Sequence, residues 1–331
     1  MAKQTQSEQL DRIVEALLGR ADAPLARTNA TLPFNKKLSP VIEVIRDLRD
    51  LPRANFKASL KADLERRAAM ASTGVKAIPE GLRTITPYLV LRGAGDWIEF
   101  AKYAFGAQER FRVKGPDGER IMHSEVQIGD SVIQAGDAGA DHPPMPGTIW
   151  LRVRDVDSAY NRALERGAIS TQVPVDQDYG GRIGAVEDPW GNNWYIFCPT
   201  PGSEIFDKLY TVNSYMHPPK AQEYIDFMQR AFGAEEVYKA QSPEGMVLHA
   251  QIRVGNSFIG MGDARGPFHP RPATFHLYVT DTDSAYERAL RAGATSIHPP
   301  ADQPYGDRRA GVIDPLGNHW YIATHIKDMP L

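Results

Sequence analysis

The stretch "DPWGNNWYI" at residues 188–196 returns 126 residues later as "DPLGNHWYI" at residues 314–322. In each copy the proline restricts one backbone angle and the glycine accepts a positive φ, so the pattern predicts a tight turn that leads into an apolar strand. Asp188 and Asp314 stand first in the two turns and are interpreted as turn builders. A shared pattern of this length predicts two copies of one domain within the chain.

Further segments repeat at nearly the same interval and support the duplication. They are "DSAYNRALERGA" at 157–168 with "DSAYERALRAGA" at 283–294, "DQDYGGR" at 176–182 with "DQPYGDR" at 302–308, and "YAFGA" at 103–107 with "RAFGA" at 230–234. Pro199, Pro201 and Gly202 break regular structure between the copies. We therefore predict a first domain over residues 83–200 and a second over residues 206–327.

Each copy itself divides into two similar halves. In the first copy, one run of apolar residues at helical spacing ends at Gly106, and a second such run ends at Gly167. A strand-like run precedes each helix, and runs of alternating apolar and polar residues follow it. The sequence therefore predicts an α+β protein made of four βαβββ units.

Residues 1–82 contain no copy of the repeat and predict a helical N-terminal extension. Apolar residues at helical spacing begin after Ser7, after Pro40 and at Phe56. Such apolar stripes need a surface to pack on, which leaves open a scaffold on the duplicated body, a lid and a partner-binding arm. We therefore predict a homodimer formed through these helices.

Composition narrows the class of protein. The 331 residues carry a formal charge of -3, which gives no general attraction to nucleic acid or to an anionic membrane. No stretch approaches the roughly 18 apolar residues of a membrane span, and the start lacks the apolar region of a signal peptide. Cys198 is the single cysteine, which favours a reducing compartment. We expect a cytoplasmic protein whose partner is a small molecule.

The four βαβββ units, the "AFGA" and "GA" helix ends, "YGGR" or "YGDR", and "DPxGNxW" together resemble the vicinal oxygen chelate superfamily. The chain is most similar to tandem glyoxalase and bleomycin-resistance-like proteins, in particular to the phosphonate-operon-associated glyoxalase-like subgroup. The resemblance covers both copies but not the extension. It implies two curved-sheet cups, each formed by two units, with a ligand or metal on the concave face.

Metal-using members of this family place His, Gln or Glu on the first, fourth, fifth and eighth strands of a cup. Three of those positions fall on Thr86, Thr148 and Tyr195 in the first copy and on Asn213, Thr274 and Tyr321 in the second. Hydroxyl groups are poor ligands for divalent metals at neutral pH. We predict no metal and no other cofactor. A divalent metal held by His249 and His276 is the alternative.

Strand alternation predicts which side chains face the cups. The first copy then supplies Tyr88, His123, Glu125, Gln127, Trp150, Arg152 and Tyr195 to one cup, and the second copy supplies Tyr215, His249, Gln251, His276, Tyr278 and Tyr321 to the other. We predict His123, Glu125 and Arg152 as catalytic residues, because an imidazole beside a carboxylate can transfer protons. The other side chains are predicted to bind the substrate.

Three functions follow from this site. The favoured one is a metal-independent lyase or isomerase that uses proton transfer in the first cup. The second is a resistance protein that binds a toxin or antibiotic stoichiometrically between aromatic side chains. The third is a metal-dependent dioxygenase or lyase with atypical ligands. Whether the chain is an enzyme stays open.

Overall fold

The computed structural model describes residues 74–140, 142–178, 180–202, 206 and 209–328. The helices predicted for the N-terminal extension, and the homodimer contact predicted for them, lie outside these residues. From Gly74 onward the chain forms one compact unit. None of the helices in the described segments is long and apolar enough to cross a membrane.

The first repeat contains two βαβββ units in succession. The first unit consists of β1 (Ile85–Leu91), α1 (Ala94–Phe105), β2 (Gln108–Lys114), β3 (Ile121–Ile128) and β4 (Ser131–Asp137). The second unit consists of β5 (Thr148–Arg152), α2 (Val156–Glu165), β6 (Ile169–Asp176), β7 (Arg182–Glu187) and β8 (Asn193–Cys198).

The second repeat has the same order of elements. Its first unit consists of β9 (Val212–Met216), α3 (Ala221–Phe232), β10 (Glu235–Gln241), β11 (Val247–Val254) and β12 (Ser257–Met261). Its second unit consists of β13 (Thr274–Tyr278), α4 (Thr282–Ala292), β14 (Thr295–Asp302), β15 (Asp307–Ile313) and β16 (His319–His325). The predicted α+β fold of four βαβββ units is confirmed.

The strands form two eight-stranded sheets that cross the boundary between the repeats. Sheet A has the order β14-β15-β16-β13-β1-β4-β3-β2, and sheet B has the order β10-β11-β12-β9-β5-β8-β7-β6. At their centres β1 pairs with β13 and β5 pairs with β9, both antiparallel. We call the concave faces of the two sheets cup A and cup B. Each cup combines one unit from each repeat, so the prediction that each repeat supplies its own cup is wrong.

The two main hydrophobic clusters form mostly within one repeat each, whereas each sheet is made from both repeats. In the first repeat α1 and α2 touch each other, and each covers the strands of its own unit. One core cluster therefore joins Trp97 of α1 and Ala159 of α2 to Ile133 in sheet A and Trp194 in sheet B. An equivalent cluster belongs to the second repeat. Hydrogen-bonded ladders connect the repeats, and each of these two hydrophobic clusters connects the two sheets.

The repeated Asp-Pro turn is held by its buried carboxylate. Asp188 accepts hydrogen bonds from the Asn192 backbone N–H at 2.9 Å, the Asn192 amide at 2.8 Å and the Trp194 indole at 2.9 Å. Gly191 has a φ of 85°, a conformation that favours glycine. Asp314 makes the same contacts in the second repeat. The predicted role of both aspartates as turn builders is confirmed.

Candidate ligand-binding site

Cup B contains a cavity of about 500 Å³. Both units of sheet B and the segment after β12 contribute to its lining. The aromatic and imidazole side chains in that lining are Trp150, Tyr195, Phe206, Tyr215, His217, Tyr238, His249 and Phe268. A concave cavity of this size with mostly apolar walls is typical of small-molecule sites.

The base of the cavity is formed by Trp150 on β5. Its ring stacks on Phe197 with a centroid distance of 4.9 Å. The rings of Tyr215 and His249 each lie 5.2 Å from it. These neighbours come from β8, β9 and β11, so the pairing of β5 with β9 is what brings them together. Because Trp150 is 7% exposed and packed on several sides, its ring is held in a fixed position in the cavity wall.

Two tyrosine–histidine pairs are among the polar groups that line the cavity. The Tyr195 hydroxyl lies 3.1 Å from Nε2 of His217, and the Tyr215 hydroxyl lies 3.1 Å from Nδ1 of His249. Burial lowers the pKa of His217 and of His249 to about 4, and it raises the pKa of Tyr195 to about 12. Both imidazoles and the Tyr195 phenol are therefore uncharged at neutral pH.

Charged groups stand at the edge of this cavity. Asp263 is occupied by the backbone, since its two carboxylate oxygens accept from the N–H groups of Ala221 at 2.6 Å and Val247 at 2.8 Å. Arg265 is the one cation among the described lining residues, and it is exposed. The interior of cup B thus presents aromatic rings and neutral hydrogen-bonding groups.

A glycine on β12 makes room for one wall of the cavity. A Cβ atom on Gly260 would lie 2.6 Å from Cδ2 of Tyr215, which is closer than van der Waals contact allows. In sheet A the equivalent residue on β4 is Gln134, which pairs with Tyr88 as Gly260 pairs with Tyr215. This difference in side-chain volume contributes to the cavity of cup B.

Cup A is crossed by a chain of buried polar side chains. The Gln134 amide donates to Glu125 at 3.2 Å, and its oxygen lies 2.8 Å from Nδ1 of His276. Arg110 pairs with the Glu125 carboxylate at 3.2 Å. Burial raises the pKa of Glu125, whereas the Gln134 hydrogen bond and the Arg110 charge oppose that increase.

The aromatic side chains of cup A are also uncharged. Burial lowers the pKa of His123 to about 4 and raises the pKa of Tyr88 to about 12. The Tyr278 hydroxyl donates to Asp307 at 3.0 Å, and His325 contacts the other oxygen of that carboxylate at 2.8 Å. Both Glu125 and Asp307 are therefore engaged with neighbouring side chains.

The structure divides the predicted site residues between the two cups differently from the sequence-based prediction. Strand pairing places Tyr88, His123, Glu125, His276, Tyr278 and Tyr321 in sheet A, and Trp150, Tyr195, Tyr215, His249 and Gln251 in sheet B. The pair of His123 and Glu125 consequently lies in a different cup from Trp150. His249 and His276, the alternative metal pair, are separated in the same way. Alternation along a strand describes its two faces but not which strand lies beside it.

Arg152 and Gln127 each form a hydrogen bond with the backbone. Arg152, predicted to be catalytic, donates through its guanidinium to the backbone oxygen of Leu209 at 3.2 Å. Gln127 is exposed near the end of β3 and donates to the backbone oxygen of Gly129 at 2.9 Å. The predicted acid-base group of His123, Glu125 and Arg152 is therefore not assembled.

Sequence reasoning missed several residues of the two cups. His217 follows β9 and is two positions beyond Tyr215, so continued alternation would have found it. Gln134 is a single amide within the apolar strand "SVIQAGD", which is a signal for a buried polar contact. Phe268 and Arg265 lie in the segment between β12 and β13, and no periodic pattern in the sequence marks them.

The residues at the family's metal positions do not fit a divalent metal. Asn213 donates to and accepts from the backbone of Tyr210, and the Thr274 hydroxyl lies 3.0 Å from the sulfur of Met145. In the described segments no group of three or more His, Cys, Asp or Glu side chains could hold a metal ion. Thr86 and Tyr321 supply hydroxyls, which are weak ligands at neutral pH.

Paired βαβββ units, shared sheets and concave cups define a tandem two-cup protein. The family model described as Glyoxalase/Bleomycin resistance protein/Dioxygenase superfamily matches residues 89–196 and 218–322, and the chain belongs to that superfamily. Among solved structures it is similar to glyoxalase I from Zea mays, with a TM-score of 0.56 and 14% identity over 72% of this chain and 92% of that chain. That similarity shows the fold alone.

Relatives in mycobacteria share more sequence with part of the chain. The uncharacterized protein Mb0911c of Mycobacterium bovis is 36% identical over 121 residues, which cover 33% of this chain and 79% of that protein. The uncharacterized protein Rv0887c of Mycobacterium tuberculosis is also 36% identical over 121 residues, covering 33% of this chain and 71% of that protein.

Proposed function

We propose that the protein is a stoichiometric binding protein that sequesters an uncharged, planar aromatic compound in cup B. The observation that carries this proposal is the cavity of about 500 Å³, whose walls combine aromatic rings with neutral tyrosine–histidine pairs. A ligand of the size of a small antibiotic fits a cavity in this range.

Stacking supplies the first part of the binding energy. Trp150 forms a flat base, and His217 stacks on Phe268 with a centroid distance of 4.9 Å elsewhere in the lining. Each aromatic contact contributes about 0.5–1.5 kcal/mol beyond the burial of apolar area. A planar guest that contacts both surfaces replaces the water held against them.

The polar groups select for a neutral guest. The neutral His217 and His249 imidazoles have no charge with which to compensate a buried ion. A buried charge without a partner is costly, whereas a carbonyl, amine or hydroxyl group can hydrogen-bond to a tyrosine or an imidazole. Arg265 lies at the exposed edge, where it can contact only the outer part of a guest.

The same groups are poorly matched to proton transfer. A histidine with a pKa of about 4 is a weak base at neutral pH, and a tyrosine with a pKa of about 12 is a weak acid. The carboxylate nearest the cavity, Asp263, already accepts two backbone hydrogen bonds. These properties favour ligand binding over the lyase or isomerase chemistry predicted from the sequence.

The test uses N-phenyl-1-naphthylamine, an uncharged aromatic probe whose fluorescence increases in apolar sites. We expect one probe per chain, and we expect Trp150→Ala to weaken binding about tenfold or more, equivalent to about 1.4 kcal/mol. Tyr195→Phe and Tyr321→Phe form a matched pair, because these tyrosines occupy equivalent positions in cups B and A. Only the Tyr195 variant should change the probe's affinity.

Three results would overturn the proposal. They are wild-type affinity in Trp150→Ala, an equal effect of the two tyrosine variants, and chemical conversion of the bound compound detected by mass spectrometry. Conversion would restore the enzyme interpretation.

A further inference from the structure

Cup A contains a buried imidazole nitrogen that no described residue satisfies. His276 is 7% exposed, and its Nδ1 atom lies 2.8 Å from the Gln134 side-chain oxygen. Its Nε2 atom is buried and has no hydrogen-bond partner among the described residues. Buried polar atoms are nearly always paired, so this nitrogen is available to accept a hydrogen bond from a ligand in the cup.

The neighbouring hydrogen bonds assign the proton on this imidazole. Arg110 pairs with Glu125, which favours the carboxylate form, and a carboxylate can only accept hydrogen bonds. Gln134 therefore directs its NH₂ group toward Glu125 and its oxygen toward His276. The Nδ1 atom of His276 must then carry the proton, and Nε2 presents a lone pair. A ligand at this position has to donate a hydrogen bond.

A cation beside the imidazole defines the charge of the ligand. The Arg309 guanidinium lies 3.9 Å from the ring centroid of Tyr321, and it donates to the Tyr305 hydroxyl at 3.1 Å. Its Nε atom is buried without a partner, and no described carboxylate lies within salt-bridge distance of it. Burial and, after it, the Arg309 charge lower the pKa of His123. This positive field disfavours a metal cation and favours an anion.

The walls around His276 are aromatic. The rings of Tyr88 and Tyr321 lie 6.4 Å and 6.3 Å from its ring, both nearly perpendicular to it. Phe111, 42% exposed, contacts His123, and Tyr305, 48% exposed, contacts Arg309. Because both side chains are exposed, they can change rotamer rapidly.

These polar groups distinguish cup A from cup B in the same molecule. At the positions equivalent to His276 and Arg309, cup B has Trp150 and Ile183, both of which line its cavity. Cup B therefore has neither an imidazole nor a cation at these two positions. The difference argues for two ligands of unlike chemistry.

We propose that cup A binds a hydroxylated aromatic carboxylate, whose carboxylate pairs with Arg309 and whose hydroxyl donates to Nε2 of His276. The ring of the ligand lies against Tyr88 and Tyr321. This site shares no residue with the cavity of cup B, so it stands whether or not cup B binds a neutral aromatic.

Isothermal titration of the full-length chain with 3-hydroxybenzoate and 4-hydroxybenzoate tests this site. Benzoate lacks the hydroxyl and phenol lacks the carboxylate, and both serve as comparison ligands. We expect at least one hydroxybenzoate to bind with a one-to-one ratio and about tenfold more tightly than either comparison ligand. Arg309→Gln and His276→Phe should each weaken that binding about tenfold.

Trp150→Ala is the matched control, because it changes the equivalent position of the other cup and should leave hydroxybenzoate affinity unchanged. Circular dichroism establishes that each variant is folded, and Arg309→Gln tests the site even if His276→Phe fails to fold. The proposal is overturned if neither hydroxybenzoate binds, if Arg309→Gln binds as the wild type does, or if Trp150→Ala causes the same loss. Failure of the naphthylamine probe in cup B would not alter these results.

Discussion

Acidification should unfold this protein well above the pH at which carboxylates titrate, because its cups contain neutral, partly buried histidines. Burial lowers the pKa of His123, His217 and His249 to about 4, against an ordinary value of 6.5. The unfolded chain therefore binds protons that the folded chain excludes. The stability from these residues is complete above pH 6.5 and decreases as the pH falls toward 4.

The magnitude follows from the two pKa values. At pH 5 each of these histidines reduces the free energy of unfolding by about 2 kcal/mol, and the three together by about 6 kcal/mol. A typical domain is stable by about 5–15 kcal/mol, so the loss is a large fraction of the total. The raised pKa values of Glu125, Asp188 and Asp307 act in the opposite direction, near the lower ordinary values of carboxyl groups.

Urea unfolding at several pH values between 7.5 and 5 measures this effect. We expect His249→Gln to remove about 2 kcal/mol of the stability loss between pH 7.5 and 5, since glutamine does not titrate. His269→Gln, at an exposed position, is the matched control and should leave the pH dependence unchanged. Equal pH dependence in the wild type and in a variant lacking all three buried histidines would refute the reasoning.

Three further changes test the fold. Gly260→Ala places a Cβ atom 2.6 Å from the Tyr215 ring, so it should lower the free energy of unfolding by about 1–3 kcal/mol and abolish probe binding in cup B. An unchanged urea midpoint and an unchanged probe affinity would contradict this packing. Asp188→Asn should lower the free energy of unfolding by about 2–5 kcal/mol, because an amide cannot accept hydrogen bonds from all the donors that surround Asp188. Asp178→Asn, at an exposed position, is the control and should change that free energy little. Equal losses in the two variants would be inconsistent with the turn. In a fragment of residues 74–202, β1 and β5 lose their partners β13 and β9, so the fragment should self-associate. Light scattering measures its mass, and a folded monomer would disprove this expectation.

The repeat made the units predictable, but it could not identify which units share a sheet. The intervals of 126 residues correctly predicted the βαβββ order, the helix ends and the Asp-Pro turns. The pairing of β1 with β13 depends on contacts between residues nearly two hundred positions apart. Each of the four units begins with a strand that can pair with another unit, so the sequence does not show which two units join. His123 and Trp150 were each assigned to a cup face, yet they belong to different cups.

The polar network of cup A illustrates a second limit. Glu125, Gln134 and His276 come from β3, β4 and β13, and their hydrogen bonds exist only after both repeats are folded. Alternation also fails where a strand is irregular, since register shifts occur within β2 and its pairing with β3. Met122 illustrates this failure, because strict alternation would place it on the same face as the buried Val126 and Ile128, whereas it is 49% exposed.

The shared sheets have a genetic consequence. In a symmetric dimer of two identical chains, every codon specifies a residue in both sites, and one substitution alters both at once. Here Trp150 and His276 occupy equivalent places but are encoded separately within one reading frame. Selection can therefore act on either cup independently. The ladders between β1 and β13 and between β5 and β9 nevertheless keep the two cups at a constant one-to-one ratio in every molecule.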